Sequence, residues 1–170
     1  HRLFVPVYLG ALTLAHLAVN LIWLAGDGWD VSRIPDGFVH ASSALHLSSG
    51  LATQGGDSLG CLRDVHSFYP VLAHLPRAAA AAVVGLSPTV LRVANLLYLV
   101  VLLIGVYKLG RLCLDRRGGL LAATLVSLMP AVYGGSRQLG LDFPALCLTP
   151  LAVHLLLRSD GFARLGYALA

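Results

Sequence analysis

Four long runs of apolar residues, separated by one large polar segment and two short charged ones, divide this chain. A transmembrane helix needs about 20 predominantly apolar residues, and residues 3–25 form an uncharged run of that length. Further apolar runs lie at residues 88–109, 118–134 and 139–158. Only 12% of the residues are charged, against about 25% in an ordinary globular domain, so a polar surface is lacking. The pattern predicts an all-α integral membrane protein with about four transmembrane helices, and a fifth that begins after Gly161.

The segment between the first two runs, residues 26–87, has a different composition. It holds five Asp, three Arg and four of the seven His, so we expect a large loop outside the membrane. Residues 35–51 and 69–85 have helical spacing but are too short or too polar to span, which predicts helices at the membrane interface. We take residues 1–170 as a single transmembrane domain, and expect it to be a fragment of a longer protein.

The basic residues predict the orientation of the spans. The short loop between the second and third spans holds four of them, whereas the loop between the third and fourth holds only Arg137. Basic loops stay in the cytoplasm, so the large loop and the turn at residues 137–142 are expected on the outer, periplasmic side. All eight acidic residues are Asp and all basic residues but Lys108 are Arg, which is typical of a GC-rich genome. We therefore expect a bacterial inner (plasma) membrane.

Two carboxylates at the predicted outer surface are candidates for chemistry. Asp36 lies near the start of the large loop, and Asp142 at the outer end of the fourth span. One carboxylate there can act as a general base while the other holds a metal or a substrate hydroxyl. Each also has a structural interpretation, because Asp before Gly is common in turns and Asp before Phe-Pro suits a helix N-cap.

Histidines and arginines of the outer side are the next candidates. His40 follows Asp36 by four residues and shares its helical face, where it can position the carboxylate or bind a cation. Arg77 and Arg137 can bind phosphate through paired hydrogen bonds, or contact lipid headgroups. The His and Cys spacings match no metal-ligand pattern, so no metal site is predicted, although a divalent cation stays open. No basic stripe with interleaved aromatics suggests a nucleic-acid partner.

Several short sequence elements follow one another in an order that resembles a known family. They are Pro-Asp-Gly-Phe-Val-His at 35–40, Phe-Tyr-Pro-Val-Leu at 68–72, Leu-Arg-Val-Ala-Asn at 91–95, Gly-Gly-Leu-Leu-Ala-Ala at 118–123, and Arg137 followed by Asp-Phe-Pro at 142–144. This order resembles the membrane glycosyltransferases of the GT-C fold. It is similar in particular to the superfamily of protein O-mannosyltransferases and aminoarabinose transferases, the glycosyltransferases of the family 39-like group. The resemblance covers nearly the whole chain and implies the N-terminal part of a GT-C fold.

The resemblance implies a glycosyltransferase that moves a hexose or pentose from a polyprenyl-phosphate donor. The acceptor is a lipid, glycan or protein on the outer side of the membrane, and membrane lipids surround the site. Asp36 is the implied base on the acceptor hydroxyl, and Asp142 holds the acceptor, the loop or a cation. No cofactor is implied with certainty.

The resemblance also implies roles for substrate-binding residues. Arg137, together with Arg77, offsets the charge of the leaving phosphate, and Tyr69 and His74 line the cavity.

Two other classes of membrane protein stay open on the sequence. A non-catalytic subunit or assembly partner would keep the fold but not an arrangement in which Asp36 and Asp142 face a common cavity. A transporter needs ionisable residues near the bilayer midplane, for which only His16 and His154 are candidates.

Overall fold

The computed structural model describes residues 3–26, 35–53 and 73–168, and the regular elements in these ranges are helices. In chain order they are α1 (Phe4–Gly26), α2 (Pro35–Thr53), α3 (Leu75–Val84), α4 (Pro88–Cys113), α5 (Arg116–Ser127), α6 (Pro130–Gly135), α7 (Asp142–Arg158) and α8 (Leu165–Ala168). Among the described helices, α1 and α4 are long and apolar enough to cross a membrane.

Helix α1 buries its polar residues His16 and Asn20 and exposes many of its large apolar side chains. Its buried positions are Leu9, His16, Asn20 and Leu24, whose spacing of seven, four and four places them on one helical face. Large apolar side chains on the other faces are exposed, among them Phe4, Val7, Leu14 and Ile22. A helix at the surface of a water-soluble protein has the opposite polarity. This inversion supports an all-α protein whose surroundings are lipid.

Helix α4 is the centre of the bundle and contacts α1, α3, α5 and α7. It begins with Pro88, and the Ser87 hydroxyl caps it by accepting a hydrogen bond from Val90 N at 3.2 Å. Gly105 of α4 allows close approach of a neighbouring helix. A Cβ added at Gly105 would lie 2.7 Å from the backbone nitrogen of Leu151 in α7.

The predicted third span is not one helix. Helix α5 ends at Ser127 and α6 begins at Pro130, with Leu128 and Met129 between them. Proline has no N–H to continue the hydrogen-bond ladder of a preceding helix, which explains the break. The 12 residues of α5 extend about 18 Å, less than the ~30 Å hydrocarbon core. The segment predicted as the third span, residues 118–134, is therefore occupied by two helices rather than by one.

The predicted fourth span begins later than the sequence suggested. Helix α7 starts at Asp142, while residues 139–141 form the link that precedes it. The N-cap position belongs to Leu141, so the N-cap interpretation of Asp142 is wrong. Asp142 occupies the first turn instead, where a negative charge interacts favourably with the helix dipole.

Helices α2 and α3 pack against each other, and α3 packs on α4. The sequence predicted helices at residues 35–51 and 69–85, and the structure has them at Pro35–Thr53 and Leu75–Val84. A small apolar cluster joins α2 and α3 to α4 and the link before α7, and consists of Ala44, Ala81, Leu91 and Leu139. We call this end of the bundle, formed by the C-terminus of α1, the N-terminus of α4 and residues 136–141, the loop end.

The opposite end of the bundle carries a group of basic side chains, Lys108, Arg111, Arg116 and Arg117. It comprises the start of α1, the end of α4 and the start of α5, and Arg116 lies over the Phe4 ring at 5.7 Å. Asp115 caps α5 by accepting a hydrogen bond from Gly118 N at 2.6 Å. We call this end the basic end.

Candidate active site

Arg77 is a fully buried cation at the loop end. Its Nε donates to Asn95 Oδ1 at 2.8 Å, and its two terminal nitrogens donate to the carbonyls of Leu139 at 3.0 Å and Gly140 at 2.9 Å. Burial lowers the pKa of Arg77 to about 10, so the guanidinium still carries its charge at neutral pH. Charge-assisted bonds of this kind are stronger than neutral ones. Arg77 therefore joins α3 to α4 and to the link that leads into α7.

Asn95 extends this set of bonds to one more carbonyl. Its amide nitrogen donates to the Gln138 carbonyl, while its amide oxygen accepts from Arg77. Three consecutive carbonyls, at residues 138–140, are thus held by side chains of α3 and α4. Because Asp142 lies two residues further on, the position of its backbone is fixed by the same bonds.

Arg137 lies between two aromatic rings. Its guanidinium carbon is 3.9 Å from the centroid of Tyr133 and 4.4 Å from that of Trp23, both within the range of cation–π attraction. Its Nε donates to Asn20 Oδ1 at 3.1 Å, which joins the link to α1. The Nη2 nitrogen has no hydrogen-bond partner among the described residues. Arg137 as a whole is half-buried, but this Nη2 atom is itself buried, and the two rings orient the guanidinium.

His40 of α2 and His74, just before α3, face each other at the loop end. Their ring centroids are 5.3 Å apart with planes tilted by 30°, and both side chains are buried. Neither ring nitrogen of His74 has a hydrogen-bond partner in the described part of the chain. Burial, and then the charges of Arg77 and His40, lower the pKa of His74 to about 4. His74 is therefore neutral at physiological pH.

Asp142 is exposed at the edge of a cavity of about 460 Å³. The cavity lies between α6 and α7 and is lined by residues that include Pro130, Gly134, Gln138 and Phe143. An exposed carboxylate in a concave site can accept a hydrogen bond from a hydroxyl or bind a cation. Among the described residues, no group of three side chains has the arrangement of a metal site.

The structure brings together some of the predicted site residues. His40, His74 and Arg77 form one buried group, and Arg77 in turn fixes the link before Asp142. The backbone of Asp36 lies in the first turn of α2, one turn before His40, but its side chain is outside the described part of the structure. Tyr69 lies wholly outside it.

Several residues on which these contacts depend had no role predicted from the sequence. Asn20, Asn95, Trp23 and Tyr133 were not among the predicted site residues. For Asn20 and Asn95 the sequence does hold one indication of a role. They are polar residues within long apolar runs, where a buried amide needs a hydrogen-bond partner. The partners of these amides could not be named, because Asn20 bonds a residue 117 positions away and Asn95 one 43 positions away.

A family model matches more than half of the chain. Residues 69–168 match the model of the family described as dolichyl-phosphate-mannose-protein mannosyltransferase. The match includes Arg77, Arg137 and Asp142. No curated protein and no solved structure matches the chain. Together with the two apolar helices α1 and α4, the family match indicates a membrane protein. The chain belongs to the dolichyl-phosphate-mannose-protein mannosyltransferase family, which is of the GT-C glycosyltransferase type.

Proposed function

We propose that the protein transfers a sugar from a polyprenyl-phosphate donor to an acceptor hydroxyl at the outer face of a bacterial inner membrane. The observation that carries this proposal is the family match over residues 69–168, which contains Arg77, Arg137 and Asp142. In the proposed topology the four apolar runs cross the membrane, with α5 and α6 together forming the third crossing. The loop end faces outward and the basic end faces the cytoplasm, in keeping with the positive-inside rule.

The proposed reaction is a single displacement at the anomeric carbon. The acceptor hydroxyl oxygen forms a bond to that carbon while the bond from the carbon to the phosphate oxygen breaks. The polyprenyl phosphate leaves with the electron pair, and Asp36 accepts the hydroxyl proton as general base. The configuration at the anomeric carbon is inverted. The donor lipid stays in the bilayer, with its phosphate at the loop end.

Arg137 is the residue that we assign to the leaving phosphate. Tyr133 and Trp23 hold its guanidinium, and the buried Nη2 makes no hydrogen bond to a described residue, so a donor is left for a ligand oxygen. A positioned cation lowers the barrier most when charge develops on the group beside it, as it does on a leaving phosphate.

Arg77 has a different role in this proposal from the one that the resemblance implied. Its side chain is fully buried and each of its three nitrogens already donates to a protein acceptor, so it presents no exposed donor to a phosphate. We assign it as a positioning residue. By fixing the carbonyls of Leu139 and Gly140 it sets where α7 begins and hence where the Asp142 carboxylate stands.

Asp142 and the histidine pair complete the proposed site. Asp142 holds the acceptor, or a divalent cation, from the edge of its cavity. The contact between His40 and His74 docks α2 on α3, and through α2 it sets the position of Asp36 one helical turn before His40. Tyr69 remains proposed as a residue of the substrate cavity.

The test is sugar transfer by the protein in membranes, with a panel of polyprenyl-phosphate sugars as donors. We expect Asp36→Asn to lower the rate at least about a hundredfold, the scale of a lost general base. The matched control is Asp160→Asn at the far end of α7. Asp160 is exposed, and its φ of 53° lies in the left-handed region that Asn tolerates.

The results of this test distinguish an enzyme that uses Asp36 from one that does not, and an enzyme from a non-catalytic membrane protein. Transfer that is unchanged in Asp36→Asn would remove Asp36 from the mechanism. No transfer from any donor by folded wild-type protein would favour a non-catalytic membrane partner over an enzyme.

A further inference from the structure

A second concave surface lies far from the candidate active site, between α1 and α4. It encloses about 520 Å³ and occupies the half of the two helices nearest the basic end. Its lining residues come from the two described helices that can cross a membrane, and include Val5, Leu9, Gly10, Leu14, Val100, Leu103, Ile104 and Lys108. We call this surface the α1–α4 groove. Its volume is within the range of about 300–1,000 Å³ that small-molecule sites have.

The wall of the α1–α4 groove is apolar along its length. Thr13, which also lines it, donates its hydroxyl to the Leu9 carbonyl at 2.9 Å. The hydroxyl is thus satisfied within α1, and the groove has no need of a polar occupant at that point. Gly10 leaves room in the wall, because a Cβ added there would meet no atom within 4 Å. An occupant of this groove must therefore be mainly hydrocarbon.

The length of the groove matches one leaflet of a bilayer. Its residues on α1 run from Val5 to Leu14, an axial distance of about 14 Å at 1.5 Å per residue. The hydrocarbon core of a bilayer is about 30 Å thick, so the groove covers about half of it. A single acyl chain that descends from one membrane surface to the midplane fits this dimension.

Charge is confined to the mouth of the groove. Lys108 is the one charged residue in its lining, and its side chain is exposed. Arg111 is exposed one helical turn further along α4, and Arg116 lies over the Phe4 ring at the start of α1. An ammonium group at the end of an apolar groove is complementary to a lipid whose headgroup carries a net negative charge on its phosphate.

We propose that the α1–α4 groove binds one chain of an anionic phospholipid from the leaflet at the basic end, with Lys108 paired to its headgroup. The apolar wall and the length of the groove select a single acyl chain as the occupant. The positive charge of Lys108 selects a lipid with an anionic headgroup. This site goes beyond the proposed transferase reaction and does not depend on it, since the donor phosphate in that proposal lies at the loop end.

Native mass spectrometry of the purified protein tests the proposal, with dioleoyl phosphatidylglycerol and dioleoyl phosphatidylcholine as probes in competition. We expect one retained lipid per chain. Phosphatidylglycerol should be preferred over phosphatidylcholine by about fivefold, the effect of one basic residue near an anionic surface. Lys108→Ala should abolish the preference and keep a retained lipid. Gly10→Leu should fill the groove and remove the retained lipid of either kind.

Two variants serve as controls for charge and volume. Arg111→Ala removes an exposed cation at the same end but outside the groove lining, and should keep the preference. Gly26→Leu adds the same side chain to α1 where a Cβ also meets no atom within 4 Å, and should keep the retained lipid. Equal retention in Gly10→Leu and wild type would overturn the proposal. So would the absence of any retained lipid in the wild type, which would mean that protein covers the groove.

Discussion

At the scale of single residues, Arg77 holds three segments of the chain together from a fully buried position. Its bonds reach α4 and the carbonyls of Leu139 and Gly140. We predict that Arg77→Met lowers the free energy of unfolding by about 3 kcal/mol, because it leaves buried acceptors without donors. Thermal unfolding in detergent measures this, with Arg111→Met as the exposed control. Equal melting temperatures for the two variants would contradict the role of these bonds.

Arg77→Lys offers a finer test of the same residue. Lysine keeps the charge but lacks the planar fork of donors that reaches three acceptors in different directions. We therefore expect a stability between those of the wild type and Arg77→Met. In the transfer assay, a positioning role predicts that Arg77→Lys lowers the rate while donor binding is retained. A loss of donor binding alone would instead indicate contact with the phosphate.

His74 gives the loop end a defined dependence on pH. Its pKa of about 4 in the folded protein lies below the ordinary 6.5, so between these values the unfolded chain binds a proton that the folded chain does not. Stability should fall as pH is lowered from 6.5 towards 4, and the fall should level off below 4. We expect a loss of about 2 kcal/mol by pH 4.5 that is absent in His74→Phe. Melting curves of both proteins at pH 7 and 4.5 decide this, and parallel losses would exclude His74 as the cause.

At the scale of elements, glycines decide how closely the helices approach. A Cβ at Gly105 would lie 2.7 Å from a backbone atom of α7, whereas one at Gly10 of α1 meets nothing within 4 Å. Gly105→Ala should therefore cost about 1–3 kcal/mol through overpacking. Gly10→Ala should instead be neutral or stabilise by up to about 1 kcal/mol, since Ala is the better helix former. Thermal unfolding of the two variants gives the comparison, and the reverse order would contradict the helix packing.

The sequence predicted some elements well because their signals are local. The apolar run at residues 3–25 is continuous, and α1 occupies Phe4–Gly26. In α4, Ser87 and Pro88 mark a start that the sequence placed at the same residue. The break between α5 and α6 and the late start of α7 were not predicted. Apolar composition does not distinguish a helix from a link, and residues 139–141 are held as a link by the distant Arg77.

At the scale of the whole molecule, the outward orientation of the loop end can be tested with thiol labelling. Cys113 is exposed near the basic end, and Gln138 is exposed at the loop end. In a Cys61→Ser background, an impermeant maleimide should label Cys113 only after the membrane is permeabilised. With Cys113→Ser added, Gln138→Cys should be labelled in intact spheroplasts. The opposite pattern would invert the proposed topology.

The candidate site was predictable only in part, because it assembles residues that are far apart in sequence. The sequence placed the large loop and the turn at residues 137–142 on one side of the membrane. The described part of that loop does contact the link before α7, through Arg77. What the sequence did not indicate is that Arg77 is enclosed, or that Arg137 is held by Tyr133 and Trp23. Burial depends on which helices meet, and single-residue chemistry does not specify that.

The bonds of Arg77 also have a consequence for biosynthesis. The carbonyl of Leu139 is 62 residues downstream of Arg77, so the guanidinium is synthesised long before that acceptor exists. At about 5–20 residues per second, the ribosome needs roughly 3–12 s to supply it. During that interval the nascent chain carries a cation that must stay hydrated, and α3 cannot seal against α4. The buried contacts of Arg77 can therefore be completed only after the link before α7 has been synthesised.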